Sequence, residues 1–254
     1  MNIKLITALL ALTVSAGASA QSASVFEGFY GQFGVGYSSF KPSVSSATLI
    51  SSQSPTTPVG MDALTNSSKS FSSALSAGYT WSLVPKLTVG IGADYQPLAG
   101  HSSSGSLSNS TPPTLQPAPI LCGACTPSRK AVAMPSNFAT SYQQSNAFAI
   151  YIAPGFAPTP ESMLYAKLGY AGTQIKSTVS GSGSESYYKG YILGLGYKQM
   201  VKGGMYGFAE ANYAAYGNEI HGTSGSLAGL ATYALNMTSK ASTLSALVGA
   251  GYKF

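Results

Sequence analysis

Few residues of the 254-residue chain could carry bond-breaking chemistry. The histidines are His101 and His221, and His101-Ser102-Ser103 sets hydroxyls beside one imidazole. A hydrolytic triad also needs a carboxylate to orient its base. No acidic residue lies between His101 and Glu161 and none follows His221, so the orienting acid is out of sequence reach and no catalytic residue is expected. Cys122-Gly-Ala-Cys125 lies in a Pro/Ser/Thr-rich stretch with no histidine close by, an incomplete zinc set. In an exported chain these two cysteines are expected to close a local disulfide, which would tighten the stretch by about 2 kcal/mol. No metal and no cofactor is expected. The glycine pairs Gly34/Gly36, Gly90/Gly92, Gly194/Gly196 and Gly249/Gly251 do not run on as G-x-G-x-x-G into a helix, which excludes a nucleotide-phosphate cradle.

The elements that hold these residues are strands. Only 8% of the chain is charged, far below the usual ~25% of soluble domains, while 44% is hydrophobic, so neither a water-facing globule nor a disordered chain fits. Residues 1–20 combine Lys4, an apolar run from Leu5 to Val14 and a small-x-small end at Ala18 and Ala20, the pattern of a secretory signal peptide cleaved before Gln21. The expected mature domain is 21–254. A formal charge of +6 is mild for this length and Arg129 is the only arginine, so nucleic acid is excluded as a partner. From Phe29 the apolar residues alternate, and seven further alternating runs follow near 69–81, 86–98, 145–157, 162–176, 188–199, 205–216 and 240–254. Short connections (82–85, 158–161, 200–204) alternate with longer ones (41–68, 99–144, 177–187, 217–239).

Such runs are long enough to cross a bilayer when tilted, and eight of them can close so that no backbone edge meets lipid. An exported β-sandwich would alternate as well, but its second face would carry Lys, Glu, Thr and Arg; here that face carries the glycine pairs, which suits a crowded lumen. Aromatics cluster at the strand ends: Tyr37, Tyr95, Tyr170 and Tyr213 near the long connections, and Tyr79, Trp81, Phe156, Tyr197 and Tyr252 near the short ones. Two such girdles belong to a membrane barrel. The expected fold is therefore all-β, an eight-stranded antiparallel up-and-down transmembrane β-barrel with short turns at one end and long loops at the other.

Strand parity turns Asp94, Lys167 and Glu210 inward, about eight, seven and six residues above their short turns, which puts all three near ~15 to 20 Å at a tilt of ~40°. A lone buried charge is costly, so Lys167 is expected to be held by one or both carboxylates, with Tyr151, Gln96 and Asn212 supplying hydrogen bonds.

The last strand places Leu244, Ala246, Val248, Ala250, Tyr252 and Phe254 at every second position and ends on the phenylalanine. This resembles the C-terminal signature of bacterial outer-membrane barrels. With APGF (153–156), LYAKLGYAGTQ (164–174), LGLGYKQ (193–199) and YGFAEANYAAYG (206–217), the whole chain resembles the small barrel family that includes the OmpA transmembrane domain, OmpX and the opacity-type adhesins. The resemblance implies insertion by the barrel-assembly machinery, with Tyr252 and Phe254 in the recognised strand, periplasmic termini, and an outer-membrane location in a Gram-negative cell. No peptidoglycan-binding domain is expected after Phe254. Lys41, Lys69, Arg129, Lys130, Lys176, Lys189 and Lys240 outnumber Asp62, Glu185 and Glu219 on the long-loop side, where lipopolysaccharide phosphates would lie. The expected function is non-enzymatic: a monomeric anchor whose loops meet a host or cell-surface ligand, as adhesins do, with a narrow channel as the alternative.

Overall fold

The computed structural model describes residues 24–51, 54–97, 102–109, 114–115, 132–133, 137–227 and 231–254. Thirteen strands occur among them: β1 (Gly28–Ser51), β2 (Ser54–Gly60), β3 (Asp62–Thr65), β4 (Ser68–Val84), β5 (Leu87–Gln96), β6 (Ser102–Ser108), β7 (Thr114–Leu115), β8 (Val132–Ala133), β9 (Asn137–Thr159), β10 (Ser162–Val179), β11 (Ser182–Lys202), β12 (Met205–Leu227) and β13 (Ala231–Lys253). Eight of these, β1, β4, β5 and β9 to β13, form an antiparallel ring that β13 closes against β1.

The register fixes the barrel's shape. Partners followed once around run Ser39, Leu244, Tyr213, Leu193, Leu168, Ile152, Ile91, Tyr79 and Phe29, so the path returns to β1 at 39 − 29 = 10 residues lower. With ~3.3 Å per residue and ~4.8 Å between strands, a ten-residue stagger over eight strands tilts them by about 40°. At the turn end, two-residue links at Pro85-Lys86, Pro160-Glu161 and Gly203-Gly204 join the strands. Gly203 and Gly204 have φ of 60° and 84°, the left-handed pair of a type I′ turn, whose twist matches that of the strands it joins.

At the opposite, far end the strands outrun the sequence-based boundaries. The segment 177–187, read as a connection, is two strands joined at Ser180-Gly181; 217–227 and 231–239 are the upper parts of β12 and β13; within 41–68 the described residues continue β1 to Ser51 and add β2 and β3. In β1 and β12 the alternation is broken by bulges. Between Val44 and Ser46 the β1 register slips, and the inward positions change from Phe40 and Pro42 to Ala47 and Leu49. A second slip falls between Tyr216 and Glu219. One extra residue inverts the parity that a period-two reading depends on. The extension has its own apolar core of Ala47, Leu49, Met61, Leu107, Phe138, Val179, Leu235 and Met237. No helix among the described residues is long and apolar enough to cross a membrane, which says nothing about crossing by strands.

Candidate functional site

The inward face of the middle barrel holds the charges. Lys167 on β10 sits with its Nζ 2.8 Å from Asp94 Oδ2 on β5 and 2.7 Å from Glu210 Oε1 on β12, all three side chains buried. Glu210 Oε2 accepts from the Tyr165 hydroxyl at 2.6 Å, and Glu210 Oε1 accepts from Asn212 Nδ2 at 2.6 Å. Glu210 thus has a donor on each oxygen, as a buried carboxylate needs. Asp94 Oδ1, by contrast, has no protein partner. Asp94 lines a cavity of about 20 Å³ with Gln96, Asn212, Thr243 and Ser245, room for one water.

Two of the expected hydrogen-bond suppliers behave differently. Tyr151 meets the ammonium with its ring, 4.2 Å from Lys167 Nζ, and its hydroxyl pairs with that of Tyr30 at 3.2 Å. Gln96 makes no hydrogen bond to the three charges, because the ladder places it a full residue pair above Asp94 on the inward face.

Sequence reasoning missed Lys198. It is buried one inward position below Gly196 on β11, and its Nζ stands 3.9 Å from the Tyr30 ring, 4.9 Å from Tyr206 and 5.2 Å from Tyr165. Among the described residues only Lys167 makes ion pairs, so aromatic faces take the place of a carboxylate at Lys198, a cation–π arrangement worth ~2 kcal/mol when desolvated. The signal was available, since Lys198 has the same strand parity as Gly194 and Gly196. With Lys198 included, the buried ionisable side chains of the lumen are Lys167 and Lys198 beside Asp94 and Glu210.

The glycines make room for these rings. Gly196 faces Tyr165 across β10 and β11, Gly251 faces Tyr206 across β12 and β13, and Gly92 faces Tyr151 across β5 and β9. A Cβ at Gly92 would stand 2.7 Å from both the Tyr151 and the Tyr30 hydroxyl oxygens. Below the charges, Phe26 packs on Met163 and Tyr165 and fills the turn-end mouth. Above them, Phe40, Tyr142, Ile175, Tyr188, Ile192 and Tyr216 fill the section beneath the apolar extension.

The outward face is apolar between two aromatic rows. Tyr37, Tyr95, Tyr170 and Tyr213 are exposed toward the far end; Trp81, Phe156, Tyr197 and Tyr252 are exposed and Tyr79 half-buried toward the turn end. Phe71 adds to the first row, edge-on to Tyr37 at 6.3 Å, and Phe29 to the second, edge-on to Tyr79 at 4.7 Å. Eight residues of tilted β1 separate Tyr37 from Phe29, about 20 Å along the axis. Ile91, Ile150, Ile152, Leu164, Leu168, Leu193 and Leu195 are exposed in between. Phe254 lies at the turn end, its amide donating to Phe29 O at 2.8 Å and its ring edge-on to Tyr252 at 5.0 Å. His221 belongs to β12, opposite Met237. The expected signal peptide at 1–20, His101 and the Cys122–Cys125 bridge lie outside the described residues, and no group of three His, Cys, Asp or Glu side chains gathers among the described ones.

A closed antiparallel eight-strand ring with ten-residue stagger, an apolar exterior and a filled interior is the fold of the small bacterial outer-membrane β-barrels. Among solved structures, the outer membrane protein OprG from Pseudomonas aeruginosa superposes with a TM-score of 0.54 over 90% of this chain and 96% of that chain, at 14% identity. Weaker likenesses are the outer membrane protease OmpT from Escherichia coli (TM-score 0.46, 10% identity, 93% of this chain and 99% of that chain) and Neisserial surface protein A (TM-score 0.39, 18% identity, 92% and 100%). No protein-family model and no curated protein matches the chain.

Proposed function

We propose that the chain is a monomeric outer-membrane barrel that works as a surface scaffold: the turn end and both termini face the periplasm, and the raised far end is presented outside the cell for contact with a ligand. The bilayer placement is supported by the apolar exterior between two aromatic rows, which is costly in water and favourable in lipid. The observation that carries the scaffold role is the obstruction of the lumen at three levels, by Phe26 with Met163 and Tyr165, by the Lys167 cluster, and by the apolar core of the extension. An eight-strand lumen is just wide enough to be filled by side chains, and the cavities described in it and in the extension above it hold about 10, 20 and 50 Å³, too small for a solute path. The strands of the extension supply a stiff wall on which binding segments can be held.

The folded protein should enter vesicles, migrate faster on a detergent gel unheated than boiled, and show no resolved openings in planar bilayers. Cells displaying the barrel should gain surface binding that is lost when 54–65 and 102–136 are replaced by short turns. Steady single-channel openings, with binding unchanged by those replacements, would make the chain a pore.

A further inference from the structure

The cavity of about 20 Å³ above the charge cluster is walled by oxygen-bearing side chains from opposite sides of the lumen. Asp94 and Gln96 on β5 face Asn212 on β12 and its register partner Ser245 on β13, with Thr243 one inward position above Ser245. Asp94 and Asn212 are only 5% and 3% exposed, and each uses one polar atom on the cluster: Asp94 Oδ2 accepts from Lys167, and Asn212 Nδ2 donates to Glu210. Neither Lys167 nor Glu210 lines the cavity, so these bonded atoms turn away from it. The oxygens left on the cavity side, Asp94 Oδ1 and Asn212 Oδ1, have no donor in the protein. Two unpaired acceptors beside one buried pocket are costly, the carboxylate most of all. Thr243 cannot relieve them, because its hydroxyl donates to Gln144 Oε1 at 3.2 Å.

Charge points the same way. Among the described residues Lys167 is the one cation paired with Asp94 and Glu210, so the ion-paired group carries one negative charge in excess. Lys198 lies among its rings on the other side of the cluster and does not line this cavity.

We infer that the cavity is a binding site for one dehydrated sodium ion, held by Asp94 Oδ1 and Asn212 Oδ1, with the side-chain oxygens of Gln96, Thr243 and Ser245 completing its shell. Hard cations take carboxylate, amide and hydroxyl oxygens, which are the polar ligands this pocket offers. A single carboxylate oxygen among neutral ones suits a monovalent ion, whereas a divalent ion would leave excess positive charge beside the Lys167 ammonium. A pocket with room for one water admits sodium stripped of its hydration shell but not a bulky organic cation. Asp94 then bridges two cations, one on each oxygen, and the ion ties β5 to β12 and β13. No histidine or cysteine takes part and the ligands are spread from residue 94 to residue 245, so no spacing in the sequence announces them.

The test is urea unfolding of the full mature barrel in phosphatidylcholine vesicles while sodium chloride replaces N-methylglucamine chloride at constant ionic strength. Equilibrium unfolding reads the site whether sodium enters through the lumen or is enclosed as the barrel closes. The unfolding constant should fall about tenfold for each tenfold rise in sodium above its dissociation constant, since only the folded state offers the shell. A flat response in wild type means that the cavity holds water, and overturns the site. Asp94→Asn should abolish the dependence. Ser245→Ala, which leaves every charge and ion pair in place, should shift it to several-fold higher sodium, and it decides alone if Asp94→Asn fails to fold. Wild-type dependence retained in the folded variants puts the sodium elsewhere and overturns the assignment. Potassium chloride should act more weakly than sodium chloride, and an equal effect would overturn the match of ion to pocket.

Discussion

The Tyr165 ring lies on Gly196, its register partner across β10 and β11, so closely that a Cβ on residue 196 would clash with the ring's hydroxyl edge. The same phenol donates to Glu210 and forms one wall around Lys198, so a glycine with no chemistry of its own sets the position of the charge cluster.

Gly196→Ala should therefore destabilise the barrel by about 1–3 kcal/mol through overpacking. Gly31→Ala, where a Cβ meets nothing within 4 Å, is the control and should change stability little. Urea unfolding in lipid vesicles compares the two, and equal effects would mean the ring relaxes freely.

Lys167→Met leaves two buried carboxylates facing each other and should cost about 3 kcal/mol. Asp94→Asn should cost less than Glu210→Gln, because Glu210 holds Lys167, Tyr165 and Asn212 while Asp94 has one partner and one unpaired oxygen. Adding Asp94→Asn and Glu210→Gln to Lys167→Met should recover part of the loss, since the mutual repulsion is then gone. Strict additivity of the three in urea titrations would show that the groups do not act as one cluster.

Lys198→Met should change stability by no more than about 1 kcal/mol, because the lost cation–π attraction is offset by removal of a buried charge. A cost as large as that of Lys167→Met would mean that the carboxylates hold Lys198 despite the intervening rings.

Deleting Phe254 should slow assembly in cells while costing the folded barrel only about 1 kcal/mol, the net worth of the amide bond to Phe29 O that is lost with it. Its ring is exposed and touches Tyr252 at the barrel's end. Pulse-labelled gel-mobility shifts measure the rate, and unchanged kinetics would remove Tyr252 and Phe254 from the role of assembly signal.

Much of this molecule was legible in one dimension. Period-two alternation, glycines on the second face and aromatics at strand ends are local properties, and they specify a closed barrel and the inward direction of Asp94, Lys167 and Glu210 because a side chain's face depends only on its strand's own parity. Where parity slips, at Val44/Ser46 and Tyr216/Glu219, the same reading took the upper parts of β1, β12 and β13 for loops. Which groups meet across the lumen was decided only by the ring. Lys198 shows this most plainly: its cage is drawn from Tyr30 on β1, Tyr165 on β10 and Tyr206 on β12, positions up to 176 residues apart in sequence (206 − 30). A buried ammonium needs several partners at once, and the ten-residue stagger of the closed sheet, a property of all eight strands together, sets the heights at which those rings converge.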